Sequence, residues 1–121
     1  MGSAARTSVA VLLLCLALAS CEDRRSPVDQ AANWWPPSQR ANARCIIFHE
    51  STNRPDAVSP GGANLGLLQI NRVHASAFYR LTGKPIDPGA FDPRLAGQFG
   101  FVLWSEQGWR PWATRHVCGL G

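Results

Sequence analysis

Apolar residues recur at helical spacing in three stretches of the chain. The first opens at Pro36-Pro37, where proline suits a first helical turn, and runs to about Glu50. Within it Ala41, Cys45 and Phe48 are spaced four and three apart, which predicts a shared face. The second covers roughly Arg72 to Thr82, with Ala75, Phe78 and Leu81 on one side and Gly83 and Pro85 as stop signals. The third has the clearest start, Asp92 as N-cap and Pro93 at the first helical position. Leu95, Phe99, Val102 and Leu103 mark its buried stripe, and Gly108 ends it. Residues 52–66, rich in Gly, Pro and Asn, must be loop or a short hairpin. The pattern predicts a small, mainly α domain over residues 34–121, with an irregular loop or short hairpin insert forming a cleft.

The amino-terminal part reads differently. Residues 8–19 carry no charge and follow a single cation, Arg6. A run of this length is short for a bilayer span, which takes roughly 20 residues, and has the layout of a secretory signal peptide. Its end, Leu18-Ala19-Ser20-Cys21, resembles the lipobox of bacterial lipoproteins. That resemblance implies a signal over residues 1–20 and a lipid on Cys21 that anchors the protein to the membrane of the cell envelope. The alternative is an ordinary signal cut after Ala17-Leu18-Ala19, a secreted product and a free thiol at Cys21. Residues 22–33 are polar and aperiodic, so residues 21–33 read as the lipidated Cys and a tether. Trp34-Trp35 reads as packing that tether onto the domain, with a sugar-stacking platform as the alternative.

Cysteine arithmetic bears on the same choice. Of Cys15, Cys21, Cys45 and Cys118, the first leaves with the signal. With lipid on Cys21, Cys45 and Cys118 remain as one pair; with Cys21 free, an exported protein keeps an odd thiol.

Length and charge narrow the function further. A chain of 121 residues excludes a multidomain architecture, a Rossmann-sized nucleotide enzyme and a polytopic membrane protein. Nine Pro and eleven Gly argue against a long coiled coil, and five Trp against disorder. Loss of Arg6 with the signal takes the net charge from +4 to +3, which suits an anionic polymer. No Lys/Arg cluster is interleaved with aromatics, so nucleic acid is not an expected partner. His49-Glu50 begins like H-E-x-x-H, but Asn53 stands where the second zinc ligand would be. His49, His74 and His116 show no ligand spacing, no G-x-S-x-G elbow occurs, and no metal or organic cofactor has a visible seat.

The segment Cys45-Ile46-Ile47-Phe48-His49-Glu50-Ser51 carries the chemistry. Apolar residues press up to a carboxylate at a predicted helix end. The negative end of the helix dipole and desolvation both favour the protonated form there. A Glu kept protonated near neutral pH is a general acid.

Glu50-Ser51, Pro55-Asp56-Ala57-Val58-Ser59, Gly62-Ala63 and Gly66-Leu67-Leu68-Gln69-Ile70 follow one another in the order and spacing of a signature. This stretch resembles that of soluble lytic transglycosylases and goose-type lysozymes, members of the lysozyme-like superfamily. Phe91-Asp92-Pro93, Gly108-Trp109 and Pro111-Trp112 are similar to the later part of those bacterial domains. Chicken-type lysozymes share the Gly66–Asn71 run, a Cys five residues before the catalytic Glu and a partner Cys after a pair of Trp. The resemblance covers about residues 41–118 and implies an α+β lysozyme-like fold and a Cys45–Cys118 bridge. It implies Glu50 as acid/base on the bond between N-acetylmuramic acid and N-acetylglucosamine. Ser51, Asn64, Gln69, Asn71, Trp109 and Trp112 would bind the glycan, and one Trp of that pair would pack near Glu50.

Departures from those patterns shape the expected reaction. Asn64 stands where chicken-type lysozymes carry a second carboxylate, and glycosidases usually need two. The loop from Ser59 to Gly66 is one residue longer than the common transglycosylase pattern, Ala96 replaces a frequent Asn, and no Tyr follows Tyr79. One carboxylate suits lytic transglycosylation of peptidoglycan by a monomer. Muramidase activity and a non-catalytic lipoprotein that binds glycan or a protein are the alternatives.

Overall fold

Small side chains, more than large ones, decide how the helices approach. The structure, a computed structural model, describes residues 23–121; the expected signal and Cys21 lie outside the described residues. Helix α1 spans Pro27–Ala32, α2 Arg40–Ser51, α3 Ala75–Thr82, α4 Ile86–Gly89 and α5 Pro93–Gln107. Short 3-10 turns at Pro37–Gln39, Arg72–His74 and Ala113–His116 lead into or follow them. A two-stranded antiparallel hairpin, β1 Asn64–Leu65 and β2 Ile70–Asn71, stands between α2 and α3. The fold is mainly α with this small β insert, as the sequence pattern predicts.

Helix α1 lies within residues 21–33, the stretch that the sequence reading takes as the lipidated Cys and a tether. Ser26 caps the helix by accepting from the Asp29 amide at 3.1 Å, and Pro27 occupies the first turn. Ala31 and Ala32 are fully buried. Their burial left no periodic signal because alanine marks no apolar stripe. Opposite them on α5 is Gly97, where an added Cβ would lie 2.5 Å from the Ala31 carbonyl oxygen and 2.6 Å from Trp34 Cδ1. Gly100, one turn on, admits the Leu68 and Trp35 side chains in the same way. Trp35 then stacks on Trp109, with ring centroids 5.8 Å apart and planes 11° from parallel.

The buried face of α2 is also not the expected one. Ala43, Ile46 and Ile47 point into the core, whereas Ala41 and Phe48 are exposed and Cys45 is half-buried. The predicted trio does share a face, but that face is turned outward, with Cys45 held in its disulfide. Helix α5 begins as expected. Asp92 accepts from the Arg94 amide at 2.9 Å, Pro93 follows, and Gly108 closes the helix. Phe99 and Leu103 are buried as expected, with Leu95 and Val102 at the margin.

The hairpin is fixed from below by Gly66. Its φ of +78° is accessible chiefly to glycine, and a Cβ there would collide with the Ala90 carbonyl oxygen. Asn64 pairs with Asn71 and Leu65 with Ile70, so Leu65 and Ile70 go inward and the two amides line the other side.

Gly97→Ala should push α1 off α5 and cost about 1–3 kcal/mol by overpacking, read as a fall in the urea midpoint at unchanged m-value. An unchanged midpoint would show that α1 is not held by this contact.

Candidate active site

Glu50 sits one residue before the end of α2, just ahead of a left-handed Thr52 that turns the chain away. It is half-buried. Its Oε1 accepts a hydrogen bond from the Thr114 hydroxyl at 3.1 Å. Burial pushes the Glu50 carboxyl above its usual range, and the Thr114 hydrogen bond, which favours the ionised form, opposes part of that rise. Desolvation was the expected direction; the opposing hydroxyl was not foreseen. A lone Thr far along the chain leaves no mark in local sequence patterning.

The Cys45–Cys118 bridge is present, with Cα atoms 6.0 Å apart. It fastens α2, five residues before Glu50, to the chain four residues after Thr114. The His49 ring lies beside it, with one nitrogen and both sulfurs mutually within 4.8 Å. Both sulfurs are consumed by the disulfide, so this trio offers no thiolate to a metal.

The same C-terminal segment reaches the hairpin. Trp112, two residues before Thr114, is 4% exposed, and its indole Nε1 donates to the Leu68 carbonyl at 3.0 Å. Thr114 and Trp112 thus tie Glu50 and the hairpin turn to one short stretch of chain. Trp109 is buried between Trp35 and Trp112, in the aromatic core rather than at an open surface. The residue that reaches the Glu50 carboxyl by a hydrogen bond is Thr114, not an indole.

The other expected site residues divide between structural and open roles. Gln69 adopts a left-handed φ of 48°, and its amide donates to the Gly66 carbonyl at 3.0 Å and the Ala57 carbonyl at 3.2 Å. Its NH2 group braces the turn and its carbonyl oxygen keeps acceptor capacity. Asn71 donates to the Asn64 side chain at 2.9 Å and accepts from the Val73 amide at 2.9 Å. An amide pair therefore spans the hairpin at the position where a second carboxylate was sought. Ser51, expected to contact glycan, is 3% exposed and donates its hydroxyl to Ile47 within the helix at 2.9 Å. Asp56 and Phe48 are exposed. A groove of about 420 Å³ between α3 and α5, bordered by His74, Arg80 and Glu106, does not include Glu50.

Among the described residues no helix is long and apolar enough to cross a membrane. The family model described as the transglycosylase SLT domain matches residues 30–107. No curated protein and no solved structure matches the chain.

Thr114→Val should raise the Glu50 pKa further, because it removes the one hydrogen bond that favours the carboxylate. A carboxyl-carbon NMR titration reads this directly, and a fall or no change would show that Thr114 does not reach the ionised group.

Proposed function

Since the chain belongs to the transglycosylase SLT domain family, within the lysozyme-like superfamily, we propose that it is a lytic transglycosylase with Glu50 as its sole acid/base. Action on peptidoglycan follows from the family. The assignment of the bond, between N-acetylmuramic acid and N-acetylglucosamine, and of Glu50 as the reacting group is our reading. The observation that carries it is a half-buried carboxyl, shifted toward its protonated form, at the Glu-Ser end of α2.

In this mechanism the Glu50 carboxyl gives its proton to the glycosidic oxygen as the C1–O bond breaks. The acetamido oxygen of the muramyl residue stabilises the positive charge at C1. The Glu50 carboxylate then takes the proton of the muramyl C6 hydroxyl while O6 bonds to C1. An anhydro ring closes, the carboxyl is restored and no water is consumed. The Thr114 hydroxyl assists the intermediate stage, since it donates to the carboxylate form. The amide pair Asn64–Asn71 supports this outcome, because a carboxylate nucleophile or base is missing from the place where lysozymes of the chicken type keep one. Gln69 and Asn71 offer amide groups to the sugar from the turn and strand.

We take the folded domain to extend back to helix α1. We retain the signal over residues 1–20 and the lipid on Cys21 as proposals for how it is exported and held at the envelope. The family's substrate places its action outside the cytoplasm, where the disulfide is chemically at home.

Incubation of residues 22–121 with purified peptidoglycan should release muropeptides with anhydro ends, and Glu50→Gln should lower that release at least ~100-fold. Reducing ends instead would mean hydrolysis, and equal release by the variant would remove Glu50 from the reaction.

The acid step needs protonated Glu50, so cleavage should decline as pH rises through its raised pKa. The sign for stability agrees: a carboxyl raised on folding contributes below its unfolded pKa and loses that contribution as pH rises through the folded value. A pH–rate profile with no alkaline limb attributable to Glu50 would contradict the acid role.

A further inference from the structure

Trp34 and Trp35 are adjacent in sequence and opposite in placement. Trp35 is 1% exposed, whereas Trp34 is 43% exposed. Trp34 lines an open cavity of about 310 Å³ together with Arg25, Gln30, Asn33 and Arg94. These are an indole, two carboxamides and two guanidinium groups around one hollow. An indole face packs on the C–H face of a pyranose, carboxamides exchange hydrogen bonds with hydroxyl and acetamido groups, and a guanidinium fork reads a carboxylate.

The protein already shows the last of these contacts. Arg25 donates to both oxygens of Asp23, at 2.9 Å each. The Arg25 hydrogen bonds, with the Arg94 charge adding to them, hold the Asp23 carboxyl below the usual range. Arg94 itself meets no carboxylate within ion-pair distance among the described residues.

The hollow lies away from Glu50. Arg40, at the start of α2, donates to the Trp35 carbonyl at 3.1 Å and the Asn33 carbonyl at 3.5 Å. Glu50 is ten residues further along the same helix, a separation of about 15 Å.

We infer that this cavity is a second carbohydrate site, which takes a carboxylate-bearing pyranose of the glycan with its ring on Trp34 and its carboxylate on Arg94. The inference rests on the peptidoglycan assignment and not on the role of Glu50. The carboxylate comes either from the lactyl group of a muramyl sugar or from its peptide stem, and both present the same group to the guanidinium. Asp23, paired with Arg25 and within reach of the Arg94 charge, sets a like charge beside that position.

The test reads the Trp34 indole N–H by two-dimensional NMR in the full chain, with and without Glu50→Gln. The probes are N-acetylglucosamine, N-acetylmuramic acid and N-acetylmuramyl-L-alanyl-D-isoglutamine, with phosphatidylglycerol vesicles as a separate arm. At least one carboxylated probe should shift the Trp34 signal saturably and bind at least ~5-fold tighter than N-acetylglucosamine. Arg94→Ala should abolish that preference; the Arg94 side chain is exposed, so the fold survives its removal. Asp23→Asn should tighten the carboxylated probe, and Glu50→Gln should leave the Trp34 response unchanged even if it ends turnover. The tighter of the two carboxylated probes identifies the source of the carboxylate. The inference is overturned by no response to any sugar, by equal responses to all three that Arg94→Ala does not alter, or by a Trp34 shift with vesicles alone.

Discussion

The bridge between Cys45 and Cys118 joins positions 73 residues apart and presses the C-terminal turn against α2. In the chain-entropy model a closure of that length restricts the unfolded chain by ~4 kcal/mol, a large share of the stability available to so small a domain. Its second effect is local. Thr114 and Glu50 both lie inside the closed loop, four residues from one end of the bridge and five from the other. The cross-link thus sets the distance over which a single hydroxyl meets a single carboxyl. With the segment in place, Trp112 also reaches the Leu68 carbonyl, so helix end and hairpin turn share one support.

The rest of the architecture serves that arrangement by close approach. Gly97 and Gly100 let α1, Leu68 and Trp35 lie directly on α5, and Gly66 lets the hairpin turn rest on the backbone at Ala90. Bulk is concentrated in the aromatic series Trp35, Trp104, Trp109 and Trp112, whose rings contact one another in turn. An aromatic core suits a small domain, which has few residues from which to build one.

Much of this was legible in the sequence, for reasons that can be named. Asp92-Pro93 announced α5 because capping and proline geometry are local. Gly83 and Gly108 marked helix ends for the same reason. The Glu50-Ser51 to Ile70 series identified the family because its order and spacing are set by the loop and hairpin that the chain must build. Helix α1 was illegible because its buried side chains are two alanines, which carry no apolar periodicity. The buried face of α2 was misread because Cys45 and Phe48 look like core residues, while the core uses Ala43, Ile46 and Ile47. Thr114 and the inward turn of Ser51 depend on tertiary placement and have no local signature.

The shift at Glu50 has two opposed physical sources, exclusion of water and one neutral hydroxyl, and no charged side chain among the described residues contributes to it. Mobile ions screen interactions between charges; they do not rehydrate a covered carboxyl. A shift of this origin depends less on ionic strength than that of paired carboxylates, whose mutual repulsion weakens as salt is added. A carboxyl shielded by neighbouring atoms alone keeps much the same protonation balance in dilute and in concentrated surroundings.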